Sequence, residues 1–313
     1  MANPVFETYG SVGIREDLAD IIYNIAPTDT PFMSNIGKGS SKGTYHEWQV
    51  DDLAAAANNF AAEGAAAAAA DSVATSRVGN YTQISTKTVS VSGSNDAADS
   101  AGRASEMAYQ LAKKGMELKR DMEVAFVGVD QAKVAGAAGG TARQLASATS
   151  WLATNDSLGA TGTSSSGDGT DVYTAGTDRD LTEALLTDVV EKCWVSGGSP
   201  TIIMANSFQK RAITGFTGNA TRYKEVSDKT IVNAVDVYVS DYGELTVVPN
   251  RFMQTDTVLV LQPDMWSVDT YRDFQTIDLA KVGDSEQKQL LVEYTLKCNN
   301  EASSGAIRDL NIA

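Results

Sequence analysis

The sequence predicts an α+β fold in which a long hairpin-like arm projects from a body of mixed helices and strands. Residues 38–92 contain strand patterns that lack a clear apolar face, and residues 104–133 carry the longest helical pattern of the chain. From residue 177 onward, strand patterns alternate with short helices and then continue as strands to the C-terminus. The elements are taken below in chain order.

Residues 1–37 are predicted to form an N-terminal arm with one short helix. Its apolar side chains recur at helical spacing up to Pro27, which ends the pattern; they are Ile14, Leu18, Ile21, Ile22 and Ile25. So short a piece has no core of its own. The first ten residues also lack the basic and apolar regions of a secretion signal.

Residues 38–92 are predicted to form an extended loop built as a β-hairpin. A strand at Thr44–Val50 leads into an alanine-rich tract at Ala54–Ala70, and a Thr/Ser-rich strand returns at Tyr81–Val91. Both strands carry polar residues on both faces, and an isolated hairpin is marginally stable in water. Another copy of the chain is therefore expected to complete its folding. The sequence leaves open whether the alanine tract is helical or extended.

The two predicted arm strands supply the candidate subunit-interface residues. Trp48 has no local core in the sequence pattern, so a neighbouring subunit is expected to bury it. The full set of candidates is Tyr45, Trp48, Tyr81, Ile84 and Lys87.

Residues 104–133 are predicted to form a single long helix. Thirty residues at 1.5 Å per residue would make a rod of roughly 45 Å. Charged residues separate the apolar positions, and Gly136, Gly139 and Gly140 are expected to end the segment. The apolar positions at helical spacing are Met107, Leu111, Leu118, Met122, Phe126 and Val129.

Residues 159–176 are rich in Gly, Ser, Thr and Asp and are predicted to be an exposed loop. A compact α/β unit follows at residues 177–262. Asp180 and Glu183 are expected to cap its first helix, whose apolar face continues to Trp194. A strand at residues 201–205 and a helix capped by Asn206 come next.

The remaining segments of the chain are predicted to form β-strands. Within the compact unit, Val235, Val237 and Val239 alternate with polar residues ahead of a turn at residues 241–243. Residues 263–313 supply the closing strands. In the last long strand one face is predicted to be apolar; its residues are Leu290, Val292, Tyr294 and Leu296.

Composition excludes several classes of function. The 313 residues include 40 acidic and 25 basic side chains, giving a net charge of -15. An acidic surface repels phosphate, so binding to nucleic acid through a basic patch is not expected. No apolar run reaches the length of a membrane span. Cys193 and Cys298 are expected to be free buried thiols, although a disulfide between them stays open.

The reactive groups of an enzyme are sparse in this sequence. His46 is the sole histidine and is expected on the surface of the arm, so no metal-binding histidine cluster is possible. Ser41 lies in a G-x-S-x-G pattern but precedes a polar strand, which does not fit a nucleophile elbow. Asp168 and Asp171 lack the spacing of a calcium loop. No catalytic residue, cofactor or metal is therefore expected.

The ordered series of segments resembles the major capsid protein of tailed bacteriophages. Several blocks carry the resemblance: GNYTQISTKTVSVSG in the arm, RASEMAYQLAKKGMELKRDME in the helix, ARQLASATSWLATN after it, IIMANSFQKRAITGF and VYVSDYGELTVVPNRFM in the α/β unit, and LLVEYTLKCNNEASSGAIRDL near the end. The resemblance covers nearly the whole chain, but no single block is as diagnostic as a metal-ligand signature. The resemblance implies the HK97-like capsid fold, with an N-terminal arm, an extended loop, a spine helix, a peripheral domain and a compact axial domain.

The resemblance also implies a domain division and partners. The peripheral domain would comprise residues 93–176 and 263–313, and the axial domain residues 177–262. Copies of the chain would form hexamers and pentamers of an icosahedral head around double-stranded DNA, without sequence-specific binding and without a membrane. A separate scaffold, a portal and a decoration protein are further implied partners. The head would be assembled in the cytoplasm of the host bacterium.

Related capsid proteins suggest two further expectations about maturation. Nothing before the arm resembles the scaffolding segment that some relatives cleave. Lys42 and Lys87 lie on the arm where some relatives crosslink a lysine to a neighbour's asparagine, but no matching partner can be named, so crosslinking is not expected.

Two alternatives remain at this stage. An encapsulin-like shell would enclose an enzyme cargo instead of DNA. A tail-borne adhesin would suit the content of Ser, Thr and Gly, and would be a monomer or trimer in solution.

Overall fold

A four-stranded sheet, a six-stranded sheet and a two-stranded hairpin carry the fold of the described residues. The computed structural model describes residues 27–51, 53–64, 66, 74–97, 105–216, 237–281 and 283–312. The predicted α+β class is confirmed. The predicted helix before Pro27 and the position of Val235 lie outside the described residues.

The helices and strands of the described residues follow one another in this order. The α-helices are α1 (Pro31–Asn35), α2 (Gly93–Ala97), α3 (Glu106–Glu123), α4 (Ala148–Trp151), α5 (Glu183–Val195) and α6 (Ser207–Thr214). The strands are β1 (Gly37–Ser40), β2 (Tyr45–Val50), β3 (Ser76–Tyr81), β4 (Gln83–Ser92), β5 (Asp156–Ser157), β6 (Ile202–Ala205), β7 (Val237–Ser240), β8 (Gly243–Pro249), β9 (Val258–Leu261), β10 (Trp266–Asp278), β11 (Ser285–Cys298) and β12 (Gly305–Ile307).

The predicted long helix is present but shorter than expected. Helix α3 begins after Ser105, whose Oγ accepts a hydrogen bond from the Ala108 N–H, and continues as a π-helical turn over Val124–Gly128. The chain then becomes extended, because tertiary hydrogen bonds replace helical ones. Gln131 O accepts from the Ser147 N–H, and the Lys133 N–H donates to Gly169 O. The expectation of helix through residue 133 is therefore wrong.

The four-stranded sheet has the order β1-β10-β11-β4 and packs against α3. The predicted apolar face of β11 is confirmed, since all four of its residues are buried. Strand β4 corrects the predicted arm. It was expected to pair with residues 44–50 but pairs antiparallel with β11, and its Val89 and Val91 form a small core with Met107 of α3. Burial of these two valines favours the sheet over a free hairpin.

The six-stranded sheet has the order β5-β12-β9-β6-β8-β7; it contains the four described strands of residues 177–262 together with β5 and β12 from outside that range. Helix α6 follows β6 and is capped, as predicted, by Asn206, which accepts from the N–H groups of Phe208 and Gln209. The cap of α5 was wrongly assigned. Thr182, and not Asp180, accepts the hydrogen bond from the Leu185 N–H.

Trp194 does not belong to the buried face of α5, contrary to expectation. That face consists of Leu186, Val189, Val190 and Cys193. Trp194 is 56% exposed and packs its ring 5.4 Å from the ring of Tyr242. It follows Cys193 by one residue, and a step of about 100° around a helix turns it away from the sheet.

Candidate functional site at the base of the arm

Strands β2 and β3 form the base of the arm, and Trp48 attaches this hairpin to the body of its own subunit. Trp48 is 9% exposed and its ring centroid lies 5.4 Å from that of Trp151 in α4. It stands opposite Val78 in the antiparallel pairing of β2 with β3. The expectation that a neighbouring subunit buries Trp48 is therefore wrong. The sequence could not reveal its partner, which lies about a hundred residues away.

Asn80 of β3 supplies a second attachment through hydrogen bonds to the backbone. Its side chain is fully buried; Nδ2 donates to Leu296 O at 2.8 Å and Oδ1 accepts from the Ala146 N–H at 2.9 Å. A buried amide whose donor and acceptor are both paired fixes the position of a strand. Asn80 thus joins the hairpin to β11 and to the segment before α4.

Lys133 links the hairpin to the glycine-rich loop of residues 159–176. Its Nζ donates to Gly79 O at 2.9 Å and to Asp168 O at 2.7 Å. Burial lowers the pKa of Lys133 below its ordinary value, and the charge of Asp168 opposes this effect. The loop is irregular, as predicted, but it is not simply exposed: Tyr173 is buried and packs against the guanidinium of Arg308.

His46 was expected on the surface, and this expectation is wrong. Its Nε2 lies 2.8 Å from Asp269 Oδ2, and the two side chains are 19% and 6% exposed. Asp269 Oδ1 also accepts from Ser267 Oγ at 2.7 Å. A Cβ on Gly39 would lie 2.3 Å from Asp269 Oδ1, so a larger residue there would have to displace this carboxylate, which contacts His46 and Ser267.

Glu293 of β11 is a buried ionic centre beside the arm that the sequence analysis missed. It is 1% exposed and lies within ion-pair distance of Arg143, at 2.5 Å, and Arg272, at 2.7 Å. Thr82, between β3 and β4, donates to Glu293 Oε1 at 2.7 Å. The one signal in the sequence is a lone carboxylate within an apolar strand, which implies a partner when buried.

The other four candidate interface residues lie at or near the surface. Tyr45 is 37% exposed and its ring centroid lies 4.5 Å from that of Tyr81, while Ile84 is 45% exposed. Lys87 Nζ lies 2.6 Å from Asp121 Oδ2 of α3. Lys87 is thus paired within its own subunit. A role of these residues in subunit contact stays a prediction.

Beyond the hairpin, the described part of residues 51–64 is exposed and forms neither helix nor strand. For these residues, the question whether the alanine-rich tract is helical or extended is thus decided against a helix. Leu53 is 99% exposed and Phe60 is 82% exposed. Because water covers these large apolar side chains in the single subunit, they are candidates for burial by another molecule.

Glu123 connects the end of α3 to α1, which lies within the predicted N-terminal arm. It is fully buried, and its carboxylate accepts from the N–H groups of Phe32 and Met33 in the first turn of α1 at 2.7 Å and 3.1 Å. Asn250 Nδ2 donates to it at 2.7 Å. Desolvation raises the pKa of Glu123, and these three hydrogen bonds oppose that rise in part.

The Glu123→Gln variant should alter how stability depends on pH. A carboxyl whose pKa is raised on folding binds its proton more tightly in the folded state. Its contribution to the free energy of unfolding therefore falls as the pH rises above the ordinary pKa of 4.5. We expect the free energy of unfolding of the variant to rise relative to that of the parent protein as the pH rises from 4.5 to the raised pKa of Glu123. The gain is at most about 1.4 kcal/mol per pH unit.

Urea unfolding of unassembled subunits at several pH values between 4 and 8 tests this expectation. Glu63→Gln, at an exposed carboxylate, is the control and should show no such trend. A difference between Glu123→Gln and the parent that is constant across the range would contradict the raised pKa.

The groups considered for catalysis or metal binding have ordinary structural partners. Ser41 Oγ donates to Gly43 O at 2.7 Å, and Asp168 and Asp171 accept hydrogen bonds from Ser166 within their own loop. Cys193 and Cys298 are free and buried, and burial raises the pKa of both thiols. No cluster of three or more metal-ligating side chains occurs within the described ranges. Nor does any helix among these residues have the length and hydropathy needed to cross a membrane.

Several solved structures share the fold of this chain. The cyanophage A-1(L) capsid asymmetric unit matches with a TM-score of 0.66 at 14% identity, covering 97% of this chain and 98% of that chain. The capsid of a native GTA particle matches with a TM-score of 0.65 at 11% identity, covering 96% and 97%. The fold is thus the HK97-like fold of capsid subunits.

The sequence comparison narrows this class to one family. The model of the SU10 major capsid protein family matches residues 5–311. The major capsid protein of Escherichia phage Phieco32 is 27% identical over 350 residues, covering 98% of this chain and 97% of the relative. The chain belongs to the SU10 major capsid protein family and is a structural protein of a bacteriophage head. The resemblance stated from the sequence blocks is confirmed.

Proposed function

We propose that the arm, beyond its base, forms contacts between subunits when this chain assembles into an icosahedral head. Its base is fixed to the body by Trp48, Asn80 and Lys133, whereas residues 51–64 present Leu53 and Phe60 to water. A rigid base with an uncovered apolar tip suits a segment that gains its burial by crossing to a neighbour. The exposure of Phe60 is the observation that carries the proposal.

The proposed assembly consists of hexamers and pentamers that enclose double-stranded DNA. The net charge of -15 supports a shell that holds DNA without binding it tightly, because like charges repel. Identical copies can close such a shell through many individually weak contacts. We assign residues 93–176 and 263–313 to a peripheral domain and residues 177–262 to an axial domain, after the capsid proteins that the sequence resembles.

The remaining assignments follow from this role. A scaffold, a portal and a decoration protein are proposed partners, and assembly is proposed to take place in the host bacterial cytoplasm. The family is a structural one, and we propose that this chain catalyses no reaction. The family match favours a phage head over a cargo compartment or an adhesin.

Shortening the arm tests the proposed assembly role. Strands β2 and β3 end in the pair Val50 and Ser76, so deleting residues 53–74 leaves a short connection and keeps the hairpin. We expect the subunit to fold with unchanged thermal stability, because the deleted part that is described has no core contacts. Closed particles should fall to less than about a tenth of the parent yield.

Electron microscopy and sedimentation of the purified protein measure that yield. A matched control keeps the length of the arm and changes Ala55 and Ala57, both exposed, to serine; it should assemble normally. Closed particles from the shortened chain in normal yield would refute the role of the arm in assembly.

A further inference from the structure

A cavity of about 690 Å³ lies at the carboxyl ends of the parallel strands β6 and β8. Asn206 and Ser207, which follow β6, line one side of it, and Pro249 and Asn250 line it at the end of β8. The carboxyl ends of parallel strands are a common place for a crevice that receives a binding partner. The other lining residues are Asp29, Pro31, Arg251, Met253 and Thr255.

The first described residues of the chain lie at the rim of this cavity. Asp29 and Pro31 line it directly. Their position is fixed, because the carboxylate of Glu123 accepts two hydrogen bonds from backbone N–H groups in the first turn of α1. Asn250, which also lines the cavity, donates to the same carboxylate at 2.7 Å. Residues 1–26 therefore join the described part of the fold at the cavity itself.

The segment that precedes the cavity has an apolar pattern of its own. Leu18, Ile21 and Ile25 recur at spacings of three and four, which predicts one side of a helix. Ile25 precedes Asp29 by four positions, at most about 13 Å of extended chain. A sphere of 690 Å³ is about 11 Å across, so Ile25 is close enough to enter the cavity. The apolar side of so short a helix needs another surface to cover it.

We propose that residues 18–25 pack their apolar side into this cavity of their own subunit. Pro31, Pro249 and Met253 offer apolar surface to the incoming isoleucine side chains. This inference goes beyond the proposed assembly role, because it concerns a contact within the single subunit. The cavity would hold the N-terminal arm against the end of the six-stranded sheet.

Charge favours this segment over a small anion as the occupant. Arg251 is exposed at the cavity, but Asp29 lines the same cavity and would repel an anion. The segment brings both an apolar side and carboxylates that can approach Arg251. From residue 14 to residue 25 the sequence has three acidic side chains and one basic side chain, namely Glu16, Asp17, Asp20 and Arg15.

The short connection favours the same copy over a second one. Only four positions separate Ile25 from Asp29, which is held at the rim through α1 and Glu123. A segment joined by so short a connection has an effective concentration in roughly the millimolar range. A second copy at ordinary protein concentration would have to displace it.

The reactivity of a single introduced thiol tests the proposal in the unassembled subunit. Thr255 is exposed at the cavity, whereas the two native cysteines are 0% and 2% exposed. The thiol of the Thr255→Cys variant is therefore the one that a soluble disulfide reagent should modify. Adding Ile21→Asp with Ile25→Asp should raise the rate of modification about tenfold, because charged side chains do not stay in an apolar cavity.

Tyr23→Asp with Asn24→Asp is the matched control for the two isoleucine substitutions. It adds the same two charges on the other side of the predicted helix and should leave the rate within about twofold. Asp241→Cys places a reporter in the exposed turn between β7 and β8, away from the cavity. Its rate of modification should not change with either pair of substitutions.

The number of reacting thiols shows whether each variant is folded. One thiol reacts in the folded Thr255→Cys chain, whereas unfolding would add the two native cysteines. If the Ile21→Asp, Ile25→Asp variant unfolds, the milder Ile25→Ser is measured instead and should raise the rate about threefold.

Two results would overturn the proposal. One is an equal rate of modification with and without the isoleucine substitutions in folded protein. The other is protection of the Thr255→Cys thiol that arises only at high protein concentration or in assembled particles, since a second copy would then fill the cavity. Neither result depends on whether the protein forms shells, so the proposed assembly role is tested separately.

Discussion

Replacing Trp48 with alanine is expected to destabilise the isolated subunit by about 3–5 kcal/mol, the usual cost of removing a buried tryptophan. Its ring packs on Trp151 within the same chain, and removing it would leave a cavity between the hairpin and α4. The midpoint of thermal unfolding should fall by about 5–8 °C. Calorimetry and urea unfolding of unassembled subunits measure this change.

Phe60→Ala is the matched control, because it also removes a large aromatic side chain from the arm. Phe60 is 82% exposed, so its loss should leave the stability of the subunit unchanged within about 0.5 kcal/mol while lowering particle yield. Trp48→Phe should lose much less stability than Trp48→Ala, since Trp48 Nε1 has no hydrogen-bond partner among the described residues. If Trp48→Ala weakened only assembly, Trp48 would belong to an interface and not to the core.

Glu293→Gln is expected to destabilise the subunit by about 3 kcal/mol. Glutamine keeps the shape and can still accept from Thr82, but it leaves Arg143 and Arg272 without their counter-charge. Removing one member of a buried ion network typically costs about 3–5 kcal/mol. We expect the lower end, because the two arginines are 27% and 39% exposed and can be partly hydrated.

Glu47→Gln provides the comparison for this second prediction. Glu47 pairs with Arg77 at 2.8 Å, but the two side chains are 36% and 65% exposed. An exposed pair of this kind contributes less than about 1 kcal/mol. Urea unfolding of both variants should show a clear difference in midpoint. If the two variants had equal urea midpoints, the buried ion pairs of Glu293 would contribute no more to stability than the exposed pair of Glu47.

Local sequence patterns were sufficient for elements whose partners are close in the chain. The cap of α6 is an example, because Asn206 binds the N–H groups of Phe208 and Gln209, only two and three residues away. The apolar face of β11 follows from alternation within one strand. Patterns were insufficient where distant contacts compete with local ones. Gln131 and Lys133 are not helical, because their backbone groups form hydrogen bonds with Ser147 and Gly169, which are 16 and 36 residues away in the chain.

At the candidate functional site, too, the sequence predicts the local features but not the contacts between distant residues. The sequence identified the arm, since no local apolar stripe could bury its strands, but it left open whether the alanine-rich tip contacts a neighbour or solvent. It could not identify Trp151 as the partner of Trp48, Asp269 as the partner of His46, or Glu293 as the centre of an ion network. Apart from Arg272 and Glu293, which are 21 positions apart, these contacts join residues separated by about 100 to 220 positions. Charge or polarity alone does not specify such partners.

The sequence by itself determined the α+β class, the family and the order of the segments, because hydrophobic periodicity, turn residues and characteristic blocks are local properties of the chain. Only the tertiary structure decided which part of the arm is anchored. Strand β4 joins β11, Trp48 enters the core, and residues 51 and 53–64 are exposed. The physical reason is that a half-polar strand pairs wherever it buries most apolar surface and satisfies most backbone groups, and that place is set by distant residues.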